Sequence, residues 1–127
     1  MKIPQDLHYS DQHLWVRQSD DGVWQTGITD YAQDLLGDIV FVQAPIAGTH
    51  LIAGAPCGLV ESVKTGSDLY APIDGVVEAV NNVLDSTPEQ LNDAPYATWI
   101  FTMRPSHAED LNKLLSAQAY QQLINPD

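Results

Sequence analysis

Residues 58–81 read Gly-Leu-Val-Glu-Ser-Val-Lys-Thr-Gly-Ser-Asp-Leu-Tyr-Ala-Pro-Ile-Asp-Gly-Val-Val-Glu-Ala-Val-Asn, and this stretch constrains the fold more than any other. Leu59, Glu61 and Val63 alternate with Val60 and Ser62, the period of a β-strand. Leu69, then Val76, Val77 and Val80, supply a second β-rich run. Between the runs lies Lys64-Thr65-Gly66-Ser67-Asp68, with Gly, Ser and Asp as turn residues. A hairpin therefore puts Lys64 at or beside its tip, with the amine in water.

Lysine is scarce here, with only Lys2, Lys64 and Lys113 in the chain. A lysine beside a turn is commonly a solubility residue. The alternative is a covalent attachment point, which needs a tip that an enzyme can grip from both sides and a rigid sheet beneath it. Lys2 sits at a terminus expected to fray, and Lys113 lies in a helical pattern, so neither competes for that role. Residue types and spacing leave both readings of Lys64 open.

The residues around the lysine carry a resemblance. Glu61-Ser62-Val63-Lys64, followed by Ser67-Asp68-Leu69-Tyr70-Ala71-Pro72 and Gly75, resembles the lipoylation hairpin of the glycine cleavage system H protein family. Gly27-Ile28-Thr29-Asp30-Tyr31-Ala32-Gln33 with Leu36-Gly37-Asp38-Ile39-Val40-Phe41-Val42 is similar to a second signature of that family. So are His13-x-Trp15-Val16 and Asn92-x-x-Pro95-Tyr96. Residues from about 8 to 120 align in order.

The resemblance implies lipoic acid in amide linkage to Lys64, with the carrier acting as a shuttle. A pyridoxal-phosphate-dependent glycine decarboxylase would load an aminomethyl group, a tetrahydrofolate-dependent aminomethyltransferase would unload it, and a flavin (FAD) dihydrolipoyl dehydrogenase would reoxidise the arm. A lipoate-attaching enzyme completes the implied partners. On this reading the protein is not itself an enzyme, because the cofactor does the chemistry. Glu61, Asp68 and Gly48 are the accompanying candidates: Glu61 and Asp68 for recognition by the attaching enzyme or docking of the arm, Gly48 for a neighbouring turn. The bland reading of both acids is solvated charge at a sheet edge.

Three departures from the family pattern stand out. Leu14 occupies a position usually acidic, and it can accept no hydrogen bond from an amine. Residues 96–99 shorten a Gly-rich segment, and Thr65-Gly66 replaces two small residues after the lysine. The first two favour an alternative, an H-like lipoyl donor or relay protein that supplies lipoate to other complexes. A biotin carrier is disfavoured, since Val63-Lys64-Thr65 lacks the methionines that usually flank a biotinyl lysine.

The expected fold is mainly β, a sandwich of two antiparallel sheets of the lipoyl and biotinyl carrier type with quasi-twofold symmetry. Ala44-Pro45-Ile46-Ala47-Gly48 recurs as Ala71-Pro72-Ile73-Asp74-Gly75, each copy followed by a β-rich segment, as two related halves require. Strand patterns at residues 13–17 and 23–26 flank Ser19-Asp20-Asp21-Gly22, a hairpin turn. Trp15 and Trp24 are expected as core or cross-strand aromatics. Thr29 or Asp30 caps a short helix over residues 31–36 that Gly37 ends, and residues 39–42 follow as a buried strand. Thr87 caps a helical turn with Pro88 and Gln90, residues 96–103 form the last strand, and Ser106 with Glu109 opens a further helix. A C-terminal helical segment over about 106–124, with a break at Ser116, extends a single carrier domain of residues 1–127.

With 17 acidic residues against five basic ones the net charge is −12. Nucleic acid is excluded as a partner, because phosphate neutralisation needs clustered Lys and Arg. Partners with basic faces suit such a surface. No apolar run approaches the about 20 residues that cross a bilayer. The opening Met-Lys-Ile-Pro-Gln-Asp has no leader character, so a cytoplasmic protein is expected, as a monomer. Cys57 is the only cysteine, and His8, His13, His50 and His107 are scattered, so no disulfide and no metal site is assigned. Cys57 is expected as a small core residue near the hairpin, and His13 either faces the arm or is structural.

Overall fold

The computed structural model describes residues 1–125. Among them nine strands form two antiparallel sheets. The six-stranded sheet runs β1 (His8–Tyr9), β2 (Leu14–Arg17), β3 (Trp24–Ile28), β9 (Phe101–Pro105), β8 (Gly75–Val80) and β5 (His50–Leu51). The three-stranded sheet runs β4 (Ile39–Gln43), β6 (Pro56–Ser62) and β7 (Gly66–Tyr70). Alternation along each strand turns Val16, Trp24 and Ile28 from the larger sheet, and Val42, Val60 and Leu69 from the smaller, into one core. Each such side chain, fully buried, contributes about 1.5–3 kcal/mol.

A second core lies on the other face of the six-stranded sheet. There Trp15, Leu7 and Tyr9 pack against Ala117 and Tyr120 of helix α3 (Ala117–Ile124). Trp15 and Trp24 are therefore both core aromatics, on opposite faces of the sheet. Gly27 stands opposite Trp15 in the β2–β3 register, and a Cβ there would lie 2.6 Å from the indole, so the ring rests directly on glycine backbone. Leu115 joins the C-terminal segment to β1 by paired backbone hydrogen bonds with Tyr9, 2.9 and 2.7 Å. Ser116 caps α3 through its side chain, which accepts from the Ala119 N–H, at the expected break.

Several expected elements take another form. Residues 66–68 are strand rather than turn: Gly66 faces Glu61 and Asp68 faces Leu59, which confines the tip to residues 62–65. The second β-rich run is two strands in different sheets, because Pro72 and the loop around it carry the chain across from β7 to β8. Strand β4 is buried only at Ile39 and Val42, since a bulge after Ile39 leaves Val40 and Phe41 exposed. The last strand begins at Phe101, because Tyr96 and Trp99 are drawn aside into the second core.

Helix caps differ as well. The Thr87 hydroxyl donates to the Val83 carbonyl, at the end of a 3-10 helix (Asn82–Asp85) that the sequence pattern did not reveal. Helix α2 (Gln90–Asp93) follows with no side-chain cap. The Ser106–Glu109 box does not form, and Ala108–Lys113 is a 3-10 helix. Helix α1 (Asp30–Leu36) starts as expected, with Thr29 accepting from the Ala32 N–H at 3.2 Å, and ends at Gly37.

The internal repeat shows a relation of path. Strands β5 and β8, which follow the two copies, pair antiparallel with each other, His50 with Val76 and Leu51 with Gly75. Environments are shared only in part: Pro45 and Pro72 are both buried, but Ile46 is exposed and its counterpart Ile73 buried. No helix among the described residues is long and apolar enough to cross a membrane.

Candidate functional site

The tip of the β6–β7 hairpin is tied by one hydroxyl. Ser62 Oγ accepts from the backbone N–H of Lys64 (3.3 Å) and Thr65 (3.1 Å) and donates to the Thr65 carbonyl (3.1 Å). The Ser62 N–H also reaches the Thr65 carbonyl, at 2.7 Å. Behind the tip, the Val63 N–H donates to the Asp38 carbonyl at 3.0 Å, fastening the hairpin end to the bend between α1 and β4. Lys64 is exposed, and among the described residues its amine makes no ion pair. Lys113 by contrast is bound to Asp110 at 3.2 Å.

Gly37 is the seat of this lysine. A Cβ on Gly37 would lie 3.4 Å from Lys64 Cε and 3.8 Å from Nζ, so the lysine stem lies along bare backbone. Gly37 has φ +80° and ψ −156°, a region that essentially only glycine occupies. Asn92 locks the bend from below. Its amide donates to the carbonyl of Gly37 (2.8 Å) and the side chain of Gln33 (3.0 Å), and its oxygen accepts from the Ile39 N–H (2.9 Å).

The residues next to Asn92 anchor other signatures. The Pro95 carbonyl accepts from Trp15 Nε1 at 3.0 Å, and Tyr96 OH accepts from the Asp30 N–H at 3.1 Å and donates to the Lys2 carbonyl at 2.7 Å. Of these signatures, Gly37 and Asn92 lie beneath the lysine, while Trp15, Pro95 and Tyr96 tie the second core and the N-terminal segment to the same loop.

Beside the tip lies a mostly apolar groove of about 270 Å³. Leu14, Ile28, Leu36 and Leu69 line it, with His13 in its wall and Thr65 and Asp68 among the hairpin residues that border it. Leu14, 1 % exposed, is core and groove lining at once. The departure at position 14 thus makes the groove more apolar. A carboxylate there would have to be buried among leucines and an isoleucine, at a cost of several kcal/mol in charged form. Residues 96–99 do not line the groove: they pack with the second core and the N-terminal segment, so that departure does not touch it.

Of the remaining candidates, Glu61 is exposed on β6 with its side chain beside Gly66, and Asp68 is exposed on β7 at the groove. Gly48 is not brought to the lysine. It lies in the turn after β4 with φ +89°, and its N–H donates to Val77 of the larger sheet at 2.8 Å. The β4–β6 register sets Ile39 against Ser62 and Gln43 against Leu59, so the chain leaves β4 at the hairpin's base, away from the tip. The glycine that meets the lysine is Gly37, legible beforehand only as a helix stop.

His13 sits at φ +71°, its ring tilted against Tyr31 with centroids 5.0 Å apart. Burial pushes its pKa below the ordinary histidine value, opposed by Asp11. Cys57 is half-buried against the main core, and burial pushes its thiol up to about 11.

The description "Glycine cleavage H-protein" belongs to a family model that matches residues 7–127. The glycine cleavage system H protein of Methylobacillus flagellatus is 60% identical, over 98% of this chain and 99% of its own length. That of Nitrosospira multiformis is 49% identical, over 100% and 98% respectively. The crystal structure of a glycine cleavage system H protein from Mycobacterium marinum superposes with a TM-score of 0.86 at 38% identity, covering 94% of this chain and 96% of that one. With a lysine on a fastened hairpin tip above a glycine seat, and with these likenesses along its length, the chain belongs to the glycine cleavage H-protein family.

Proposed function

We propose that the protein is the lipoyl-carrying shuttle of glycine cleavage, with lipoic acid in amide linkage to Lys64, and that residues 1–127 form one carrier domain with 106–124 as its helical extension. The observation that carries the attachment is the unpaired Lys64 amine on a tip fastened by Ser62 and by Asp38, directly beside an apolar groove. A hydrocarbon arm ending in sulfur fits those surroundings: apolar walls, a polar edge that includes His13 and Asp68, and no lysine or arginine lining the groove among the described residues. Bound, the lipoyl group supplies a reversible dithiol–disulfide couple and a sulfur that accepts a one-carbon unit.

This chain's own residues do the rest. Ser62 and Gly37 hold the lysine where an attaching enzyme reaches it, Leu14 and its neighbours give the arm an apolar resting place, and tethering concentrates the arm at each docked active site. Catalysis belongs to the partners: a glycine decarboxylase, an aminomethyltransferase, a dihydrolipoyl dehydrogenase and the attaching enzyme. Glu61 and Asp68, exposed on either strand of the hairpin, are the acidic side chains it offers to an attaching enzyme.

A second reading, an H-like protein that relays lipoate to other complexes, is favoured by Leu14. Reconstitution with decarboxylase, glycine and aminomethyltransferase separates the two, since a relay protein supports no turnover there. Intact mass of wild type and Lys64→Arg, both from a lipoate-competent host, tests attachment. A lipoyl increment is expected on wild type alone; an increment that survives the substitution, or none on wild type, overturns the assignment. A biotin increment would point to the disfavoured biotin carrier.

A further inference from the structure

Tyr120, on the C-terminal helix, lies outside the groove but touches its wall. Its ring is fully buried and stacked on Tyr9, centroids 4.7 Å apart and planes 11° from parallel, so its hydroxyl has a fixed position. That hydroxyl is 2.8 Å from His13 Nδ1 and 2.8 Å from Thr29 Oγ1. His13 is fixed from its backbone too, the N–H donating to the Ser10 carbonyl (3.3 Å) and the carbonyl accepting from the Thr29 N–H (3.1 Å).

The protons in this cluster can be assigned by exhaustion. Thr29 is buried, and its oxygen already accepts from the Ala32 N–H, capping α1. If Tyr120 donates to His13 Nδ1, the Thr29 hydroxyl donates to Tyr120, and both buried hydroxyl protons have acceptors, while the His13 Nε2–H lies on the groove side. If instead His13 carries its proton on Nδ1 and donates to Tyr120, Tyr120 must donate to Thr29. The Thr29 proton then has no acceptor among the described residues. An unpaired buried donor is costly, so the first arrangement prevails.

We propose that Tyr120 is a positioning residue for the groove: it holds His13 as the neutral Nε2–H tautomer and leaves that N–H as a donor for an acceptor atom, carbonyl or sulfur, of the chain tethered at Lys64. The wall of the groove is thereby set from the C-terminal helix. The lowered pKa of His13 agrees with a neutral ring; the groups that face the ring are Tyr31 on α1, Tyr120 on α3 and the nearby Asp11. The donor part rests on the carrier reading, whereas the tautomer does not.

Long-range nitrogen–proton correlation spectra of ¹⁵N-labelled protein test both parts. Protein made without lipoate is expected to show His13 as the Nε2–H tautomer at neutral pH. In Tyr120→Phe the ratio of Nε2–H to Nδ1–H should fall roughly five- to tenfold, the loss of one hydrogen bond. A wild-type ring that is charged, or protonated on Nδ1, overturns the proposal without any variant, and so does a ratio unmoved in Tyr120→Phe. Lipoylated protein, verified by mass, should shift the His13 Nε2 resonance relative to unmodified protein. If the modified protein gives an unshifted resonance, the donor role is overturned while the carrier reading stands. If mass shows no lipoyl group, it is the carrier reading that fails.

Discussion

Lys64 carries the amine of the hairpin and Cys57 its thiol, and their surroundings divide them sharply. The lysine stands in water on a fastened tip, while the cysteine is half-buried against the core with its thiol pushed up to about 11. At pH 8 roughly one Cys57 in a thousand is thiolate, and only the thiolate is a nucleophile. Iodoacetamide at that pH should therefore leave Cys57 almost unmodified over a time that fully alkylates a free thiol, as peptide mass mapping will show. Although Gly66, Ser67 and Asp68 belong to the second strand and Ser62 closes the turn, the position of Lys64 could be read in the sequence to within a few residues, because two β-patterned runs flank it. Its partner Gly37 could not. Their contact exists only because β6 pairs with β4, and Gly48, equally plausible by composition, falls at the wrong end of that pairing. The Tyr120–His13 hydrogen bond is hidden for the same reason, since nothing local in either residue names the other.

Elements were legible where one local rule decides them, and misjudged where two sheets compete for the same run. Helix α1 needed only a cap at Thr29 and a stop at Gly37, and both hold. The run from Leu69 to Val80 read as one β-rich stretch because periodicity does not say when a chain changes sheets. The 3-10 helix at Asn82–Asp85 escaped, and Ala108–Lys113 was expected as helix but not as 3-10, because short i+3 turns leave little hydropathic imprint. The connection between α1 and β4 is where an element carries function. Gly37→Ala forces a side chain into a backbone region that disfavours it and brings a methyl to 3.4 Å from the lysine stem. A stability loss of about 1–3 kcal/mol is expected in urea titration. Lipoyl attachment should also be slower than in wild type at equal folded fraction, as time-resolved intact mass will show; an unchanged rate would remove Gly37 from the attachment site.

At the scale of the molecule, one sheet serves two cores, the inner one supporting the hairpin and the outer one formed by the N-terminal and C-terminal segments. Tyr9→Ala empties the outer core beside Tyr120, and a loss of about 3–5 kcal/mol is expected from the urea midpoint. Lys64 should still accept lipoate when attachment is assayed below that midpoint, because no residue of the tip belongs to the outer core. The unpaired amine also has an electrostatic consequence. The chain carries a net charge of −12, and Lys64 is one of its five basic residues. Acylation deletes that positive charge without breaking any ion pair, so the fold is indifferent to it while the field around the tip becomes more negative. The modified form therefore binds an anion-exchange column more tightly than the unmodified one, and an enzyme with a basic docking face meets a carrier whose charge already reports whether its arm is in place.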